Sequence, residues 1–290
     1  MREFKTEIYL DGLKFTEGLR WHDNQLWFCD LWAKKVYRSN SKDLYISIVE
    51  LDDEPVGLGW LADGTLLITS LFKRQLLAFK NNILSIYKDL GISTPGYCHD
   101  FTISNNNYIY LSASGFYPSY KVKPVTSSIL MITPDKELRV AATDVGYPNG
   151  IILCDQDKKL IVAETFSARI ITFDINENHE LVNRRELIAF DQKGFYVDFD
   201  KNSAPRDLER HYPDGISYHQ DKRELWVASP GKKEVLCIDS KGKIIKVVHT
   251  LSMPFDCALG GANQDILFIA SSDLKKDIDT GKIEYTKLRP

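Results

Sequence analysis

The sequence predicts an all-β chain, a six-bladed β-propeller. Two observations carry this. A short phrase recurs six times, and each copy is followed by a polar turn and an apolar strand. Helical periodicity is absent over any useful length.

The phrase reads Glu17-Gly18-Leu19, Val56-Gly57-Leu58, His99-Asp100-Phe101, Asn149-Gly150-Ile151, Asp214-Gly215-Ile216 and Phe255-Asp256-Cys257. From its middle residue the steps are 39 to Gly57, 43 to Asp100, 50 to Gly150, 65 to Gly215 and 41 to Asp256. A blade of four antiparallel strands takes about 40–50 residues. The strand after each phrase is short and rich in β-branched and aromatic residues, as in Gln25-Leu26-Trp27-Phe28-Cys29 and Glu224-Leu225-Trp226-Val227-Ala228. Turns such as His22-Asp23-Asn24 and Ala62-Asp63-Gly64 precede these strands. The segment Glu7-Ile8-Tyr9-Leu10 is expected to complete the last blade, and Gly281 to Tyr285 to add a strand beside it. No linker splits the chain, so residues 1–290 read as one domain.

The 65-residue step is the outlier. Its excess falls at about 190–212 and contains Phe195-Tyr196-Val197-Asp198-Phe199 and Arg206-Asp207-Leu208-Glu209-Arg210. A long aromatic insertion leading into Asp214 reads as a lid over a site or as surface decoration.

Composition narrows the class. Of 290 residues, 43% are hydrophobic and 27% charged, the balance of an ordinary globular chain. The net charge of −3 leaves no basic stripe for a phosphate backbone, so nucleic acid is not an expected partner. No apolar run approaches the roughly 20 residues that span a bilayer, and the first residues lack a signal-peptide core; no membrane association and a cytoplasmic location are expected. The five dispersed cysteines form no CxxC pair and read as reduced small hydrophobes.

In a propeller, equivalent residues of the innermost strands face one level of the central channel. The first residues of the phrase would therefore converge there, and Glu, His, Asn and Asp are good ligands. Carboxylates confined together repel unless a cation sits between them. A divalent ion in the channel, held by oxygens of Glu17, Asn149 and Asp214, resolves this. Pro148-Asn149-Gly150 and Pro213-Asp214-Gly215 are equally good β-turn sequences taken singly; their joint occurrence at equivalent positions is what points to a site.

The chain resembles the SMP-30/gluconolactonase/luciferin-regenerating-enzyme family over nearly its whole length. The matching phrases are Glu17-Gly18-Leu19-Arg20-Trp21, Gly57 to Gly64, Pro148-Asn149-Gly150-Ile151, Ala163-Glu164-Thr165, Pro213-Asp214-Gly215-Ile216, Trp226-Val227-Ala228-Ser229 and Leu259-Gly260-Gly261. The resemblance implies a six-bladed propeller with one divalent metal ion, calcium or zinc, with manganese or magnesium as further options. It implies Glu17, Asn149 and Asp214 as the metal set, and metal-dependent hydrolysis of sugar lactones or related cyclic esters with Asp214 as general base. Where members commonly carry Asn-Asp at the third blade, this chain has His99-Asp100, the expected substrate-binding pair. Three roles are open to His99: metal ligand, catalytic proton shuttle, or space-filling core histidine. Glu164 is expected to make structural hydrogen bonds. The expected partner is a small-molecule lactone; protein partners are not indicated. The alternative is a non-enzymatic propeller that binds a metal or ligand in the same place. The sequence contains no GxSxG elbow, P-loop or GxGxxG.

Overall fold

A computed structural model describes the chain except residues 92, 120, 201–204, 206, 208, 275–277, 289 and 290. Two strands open it, β1 (Arg2–Lys5) and β2 (Glu7–Leu13). The first sheet is then β3 (Thr16–His22), β4 (Gln25–Asp30), β5 (Lys35–Ser41) and β6 (Leu44–Glu50). The second is β7 (Pro55–Trp60), β8 (Leu66–Ser70), β9 (Gln75–Lys80) and β10 (Ile83–Asp89). The third is β11 (Cys98–Ile103), β12 (Ile109–Ala113), β13 (Ser127–Ile132) and β14 (Leu138–Val145). The fourth is β15 (Pro148–Cys154), β16 (Lys159–Glu164), β17 (Arg169–Ile175) and β18 (Leu181–Ala189).

The fifth is β19 (Ile216–His219), β20 (Glu224–Ser229), β21 (Glu234–Ile238) and β22 (Ile244–His249), with β1 added parallel to β22. The sixth is β23 (Met253–Gly260), β24 (Ile266–Ser272) and β25 (Gly281–Lys287), completed by β2 antiparallel to β25. The architecture is the expected all-β six-bladed propeller, with both expected closing strands in the last blade. The parallel pairing of β1 is an addition that the sequence reading did not foresee.

Local chemistry sets the hairpins. Asp23 and Asn24 join β3 to β4 with φ of 49° and 58°, and Asn81 and Asn82 join β9 to β10 with φ of 52° and 61°. Two successive left-handed residues match the twist of the flanking strands, and Asn and Asp tolerate that region.

The chain divides into two compact units, Met1–Leu58 with Gly215–Pro290, and Gly59–Asp214. In each, the core lies between neighbouring sheets. In the first, Leu10, Leu19, Leu26, Phe28, Phe268 and Ile283 pack the sixth sheet on the first. In the second, Leu67 and Leu76 meet Phe101, Leu111 and Leu130 between the second and third sheets. Strand alternation puts these side chains on the packed faces.

Buried carboxylates are spent on structure. Asp30 accepts the Lys14 and Phe15 amides at 2.9 and 3.0 Å. Glu284 accepts the Leu251 amide at 2.8 Å and the Ser271 hydroxyl at 2.6 Å. Glu164 is fully buried and receives Arg169 Nε at 2.5 Å and Arg184 at 2.5 Å, the structural role expected of it. All five cysteines are buried and none is in a disulfide, and burial pushes the Cys98 thiol up to about 12. Among the described residues no helix is long and apolar enough to cross a membrane.

Candidate functional site

Four of the six copies of the phrase fall on a β-bulge or like irregularity of pairing. Pairing between the first two strands of a blade slips between Glu17 and Arg20, between Cys98 and Phe101, between Pro148 and Ile151, and between Pro254 and Asp256. Each slip falls on a copy of the phrase. A bulge bends the strand and re-aims the side chains it carries. Asp214 and Gly215 lie just ahead of β19 and outside the ladder.

The phrase also joins neighbouring blades. Gly215 N donates to Phe255 O at 2.8 Å, and Gly150 N donates to Asp214 O at 3.2 Å. A Cβ on Gly18 would stand 1.9 Å from Val56 O, and one on Gly215 would stand 2.0 Å from Asp256 Oδ1. Glycine is required at both because the next blade's phrase occupies the space. Gly18 also takes φ of +60°. The middle residue thus serves architecture and leaves the first residue to carry chemistry.

Several braces around the phrase escaped the sequence reading. Asp256, 1% exposed, accepts the Leu19 amide at 2.6 Å and the Cys257 amide at 2.8 Å, with Arg20 3.7 Å away. It therefore fixes the bulge that carries Glu17. The Ser112 hydroxyl donates to Asn149 O at 2.6 Å, and the Thr165 hydroxyl to Pro213 O at 2.8 Å. Each is a hydroxyl on or beside the second strand of one blade that holds the phrase of the next.

The expected site residues divide between the units. Glu17 is partly exposed in the first. In the second, Asn149 is partly exposed, while His99, Asp100 and Asp214 are buried. The Gly150–Asp214 hydrogen bond brings Asn149 and Asp214 onto adjoining segments. Among the described residues no three His, Cys, Asp or Glu side chains cluster to hold a metal.

His99 sits among rings. Tyr97 meets it edge-on at 5.6 Å and Tyr147 at 5.1 Å. Burial pushes its imidazole down to about 4, so it is neutral at pH 7. Its Nε2 is buried without a hydrogen-bond partner among the described residues. Tyr147 takes φ of +65° directly before Pro148, an unusual conformation for a bulky residue. Burial raises its phenol well above the usual range.

The insertion is anchored where it is described; residues 201–204, 206 and 208 of the expected lid lie outside the described residues. Val197, Phe199 and Tyr212 are buried against Phe116, Tyr147 and Phe166. Arg210, 4% exposed, donates to Asp191 at 2.5 Å, to Gly194 O at 2.7 Å, to Phe166 O at 3.2 Å and to Tyr196 O. Burial pulls the Asp191 carboxyl up, but hydrogen bonding from Arg210 and Lys193 outweighs it and leaves that group below the usual range.

Comparison with known proteins agrees with this architecture. A calcium-binding protein, regucalcin, from Agrobacterium tumefaciens superposes with a TM-score of 0.78 at 15% identity, covering 99% of this chain and 96% of that one. A gluconolactonase from Xanthomonas campestris gives 0.75 at 18% identity, covering 97% and 88%. A luciferin-regenerating enzyme gives 0.75 at 18% identity, covering 95% and 92%. At these identities the likeness is one of fold. No protein with a curated description matches the sequence. The sequence profile of the SMP-30/gluconolactonase/LRE-like region matches residues 15–273, and the chain therefore belongs to that family.

Proposed function

We propose that this protein is a divalent-metal-dependent hydrolase of lactones or related cyclic esters. The observation that supports the reading is that Glu17, Asn149 and Asp214 head three copies of the recurring phrase in a chain of this family. The gluconolactonase and the calcium-binding regucalcin among its structural relatives support the activity and the ion class.

Glu17, Asn149 and Asp214 would hold the ion, which when bound supplies a Lewis acid for the lactone carbonyl. Asp214 takes the proton from the attacking water. Water oxygen bonds to the carbonyl carbon, the ring C–O bond breaks, and the proton held by Asp214 passes to the leaving alkoxide, giving the open hydroxy acid. His99 is neutral and orients the substrate through a hydrogen bond at Nε2, with Asp100 beside it in the same bulge. A neutral imidazole keeps a single N–H that can donate a hydrogen bond but carries no second, acidic proton at pH 7, so His99 acts as an orienting group.

The test is turnover of sugar and aliphatic lactones by metal-stripped protein resupplied with Ca²⁺, Zn²⁺, Mn²⁺ or Mg²⁺, with Asp214→Ala alongside. Metal-dependent hydrolysis, lost in the variant by at least about a hundredfold, is expected. Metal binding without turnover on any lactone would replace the enzyme with a metal- or ligand-binding propeller.

A further inference from the structure

A strand at the edge of a sheet offers a row of amides and carbonyls to any further strand. The fifth sheet shows that a blade of this chain accepts one there. β1 lies parallel along β22 and makes the sheet five-stranded.

Three of the other outer strands are guarded by charge. β14 carries Arg139 and Asp144, β18 carries Arg184, Arg185 and Glu186, and β2 carries Glu7 and Asp11. Charged side chains on an edge discourage pairing with a foreign strand. The outer strand of the first sheet, β6, differs. Its residues Leu44-Tyr45-Ile46-Ser47-Ile48-Val49 include no charge, proline or glycine. Leu44 is 65% exposed, Tyr45 38% and Ile46 54%. Successive side chains point to opposite faces, so apolar surface is open on both sides of this strand. Among the described residues β6 pairs with β5 and with no second strand.

The edge complements itself. An antiparallel pair of β6 strands centred on Ile46 sets Ile46 against its own copy, Tyr45 against Ser47 and Leu44 against Ile48. It also brings Lys42 opposite Glu50, twice by symmetry. Both are exposed beside the strand, Lys42 over the Tyr285 ring at 5.8 Å and Glu50 3.4 Å from Lys35. The remaining outer strand, β10, also has exposed apolar residues, Ile83 and Ile86. The same operation about Ile86 sets Lys88 against Leu84 and Asp89 against Ile83, which pairs charge with apolar surface.

We propose that this protein forms a two-fold homodimer in which β6 pairs antiparallel with β6 of a second copy, centred on Ile46. The first sheet and its copy then run on as one sheet. A contact of one patch with itself closes at two subunits. Pairing of β6 with β5 slips between Ser47 and Val49, which confines the regular ladder to residues 44–48. So short a ladder makes the association reversible. The dimer does not depend on the reaction proposed above.

Sedimentation velocity on the full chain, from micromolar to millimolar concentration, should show monomer giving way to dimer. Ile46→Lys sets two lysines against each other on the two-fold axis and should weaken the dimer at least about tenfold. Ile46 is exposed, so this variant keeps its fold, which circular dichroism checks. Ile86→Lys, the same change on β10, should leave the dimer intact. Register is read with cysteines. Side chains directly opposite each other lie within reach of a disulfide, so Ile46→Cys should crosslink into dimers with oxidised glutathione and Ser47→Cys should not. The native cysteines are buried, and wild type is the control for them. A chain that stays monomeric throughout overturns the proposal, as do species larger than a dimer. So does a dimer untouched by Ile46→Lys or lost in Ile86→Lys, or crosslinking through Ser47→Cys in place of Ile46→Cys.

Discussion

Replacing His99 by asparagine should change how stability depends on pH. The imidazole titrates near 4 in the folded chain, against an ordinary 6.5. A folded-state pKa below the unfolded one means that the unfolded chain takes the proton first. The contribution of this group is therefore fully present above about pH 6.5 and is lost as pH falls towards 4. At pH 5.5 the unfolded imidazole is about nine-tenths protonated while the folded one is neutral, a difference worth about 1.4 kcal/mol. At pH 7.5 the same difference is below about 0.1 kcal/mol. Wild type should thus lose about 1.3 kcal/mol more than His99→Asn between these two pH values. The asparagine variant starts from a lower baseline because it leaves a smaller side chain, but that offset does not vary with pH. Urea unfolding of metal-free protein at both pH values reads the difference directly. Parallel pH dependences in the two proteins would show that His99 is solvated or paired, and would refute its assignment as a neutral, buried orienting group.

Two other substitutions probe the architecture. Gly18→Ala places a Cβ 1.9 Å from Val56 O at a left-handed φ and should destabilise by about 2–5 kcal/mol, seen in calorimetry as a midpoint lowered by several degrees; an unchanged midpoint would mean that the blades do not meet at this phrase. Arg210→Met removes the buried cation that ties Asp191 to three carbonyls, and proteolysis between residues 190 and 212 should accelerate on the order of a hundredfold; an unchanged cleavage rate would show that the aromatic packing holds the insertion unaided.

The blades were legible because their signals are local. The apolar run Leu66-Leu67-Ile68-Thr69 and the turn chemistry of Asp23-Asn24 act within a few residues, so a linear reading finds them. The phrase was visible as a repeat, but the bulge at four of its copies was not. A bulge is a mismatch between two strands, and its register exists only when both are paired. The same holds for Asp256, which stood in the sequence only as the middle residue of the sixth phrase. Its role is set by Leu19, 237 residues away, and nothing near it in sequence says so. Ser112 and Thr165 likewise work on the following blade. The strand β1 is short, with a single apolar residue, Phe4, and joins by parallel pairing to β22, a partner that hydropathy alone cannot select. The insertion announced itself by length and aromatic content. Its anchoring by Arg210 came only with the carbonyls that arginine reaches.

The backbone bonds between successive phrases have an evolutionary consequence. Where a glycine amide bonds to the next phrase's carbonyl, as at Gly150 and Gly215, the link runs through the backbone and does not depend on the side chain of the preceding residue. Six blades offer six independently variable addresses, filled in this chain by Glu, Val, His, Asn, Asp and Phe. A point mutation at one of them rewrites the reagent without asking the barrel of strands to refold. A histidine can therefore stand at the third address while the other polar groups stay in place, and new chemistry can be sampled one position at a time.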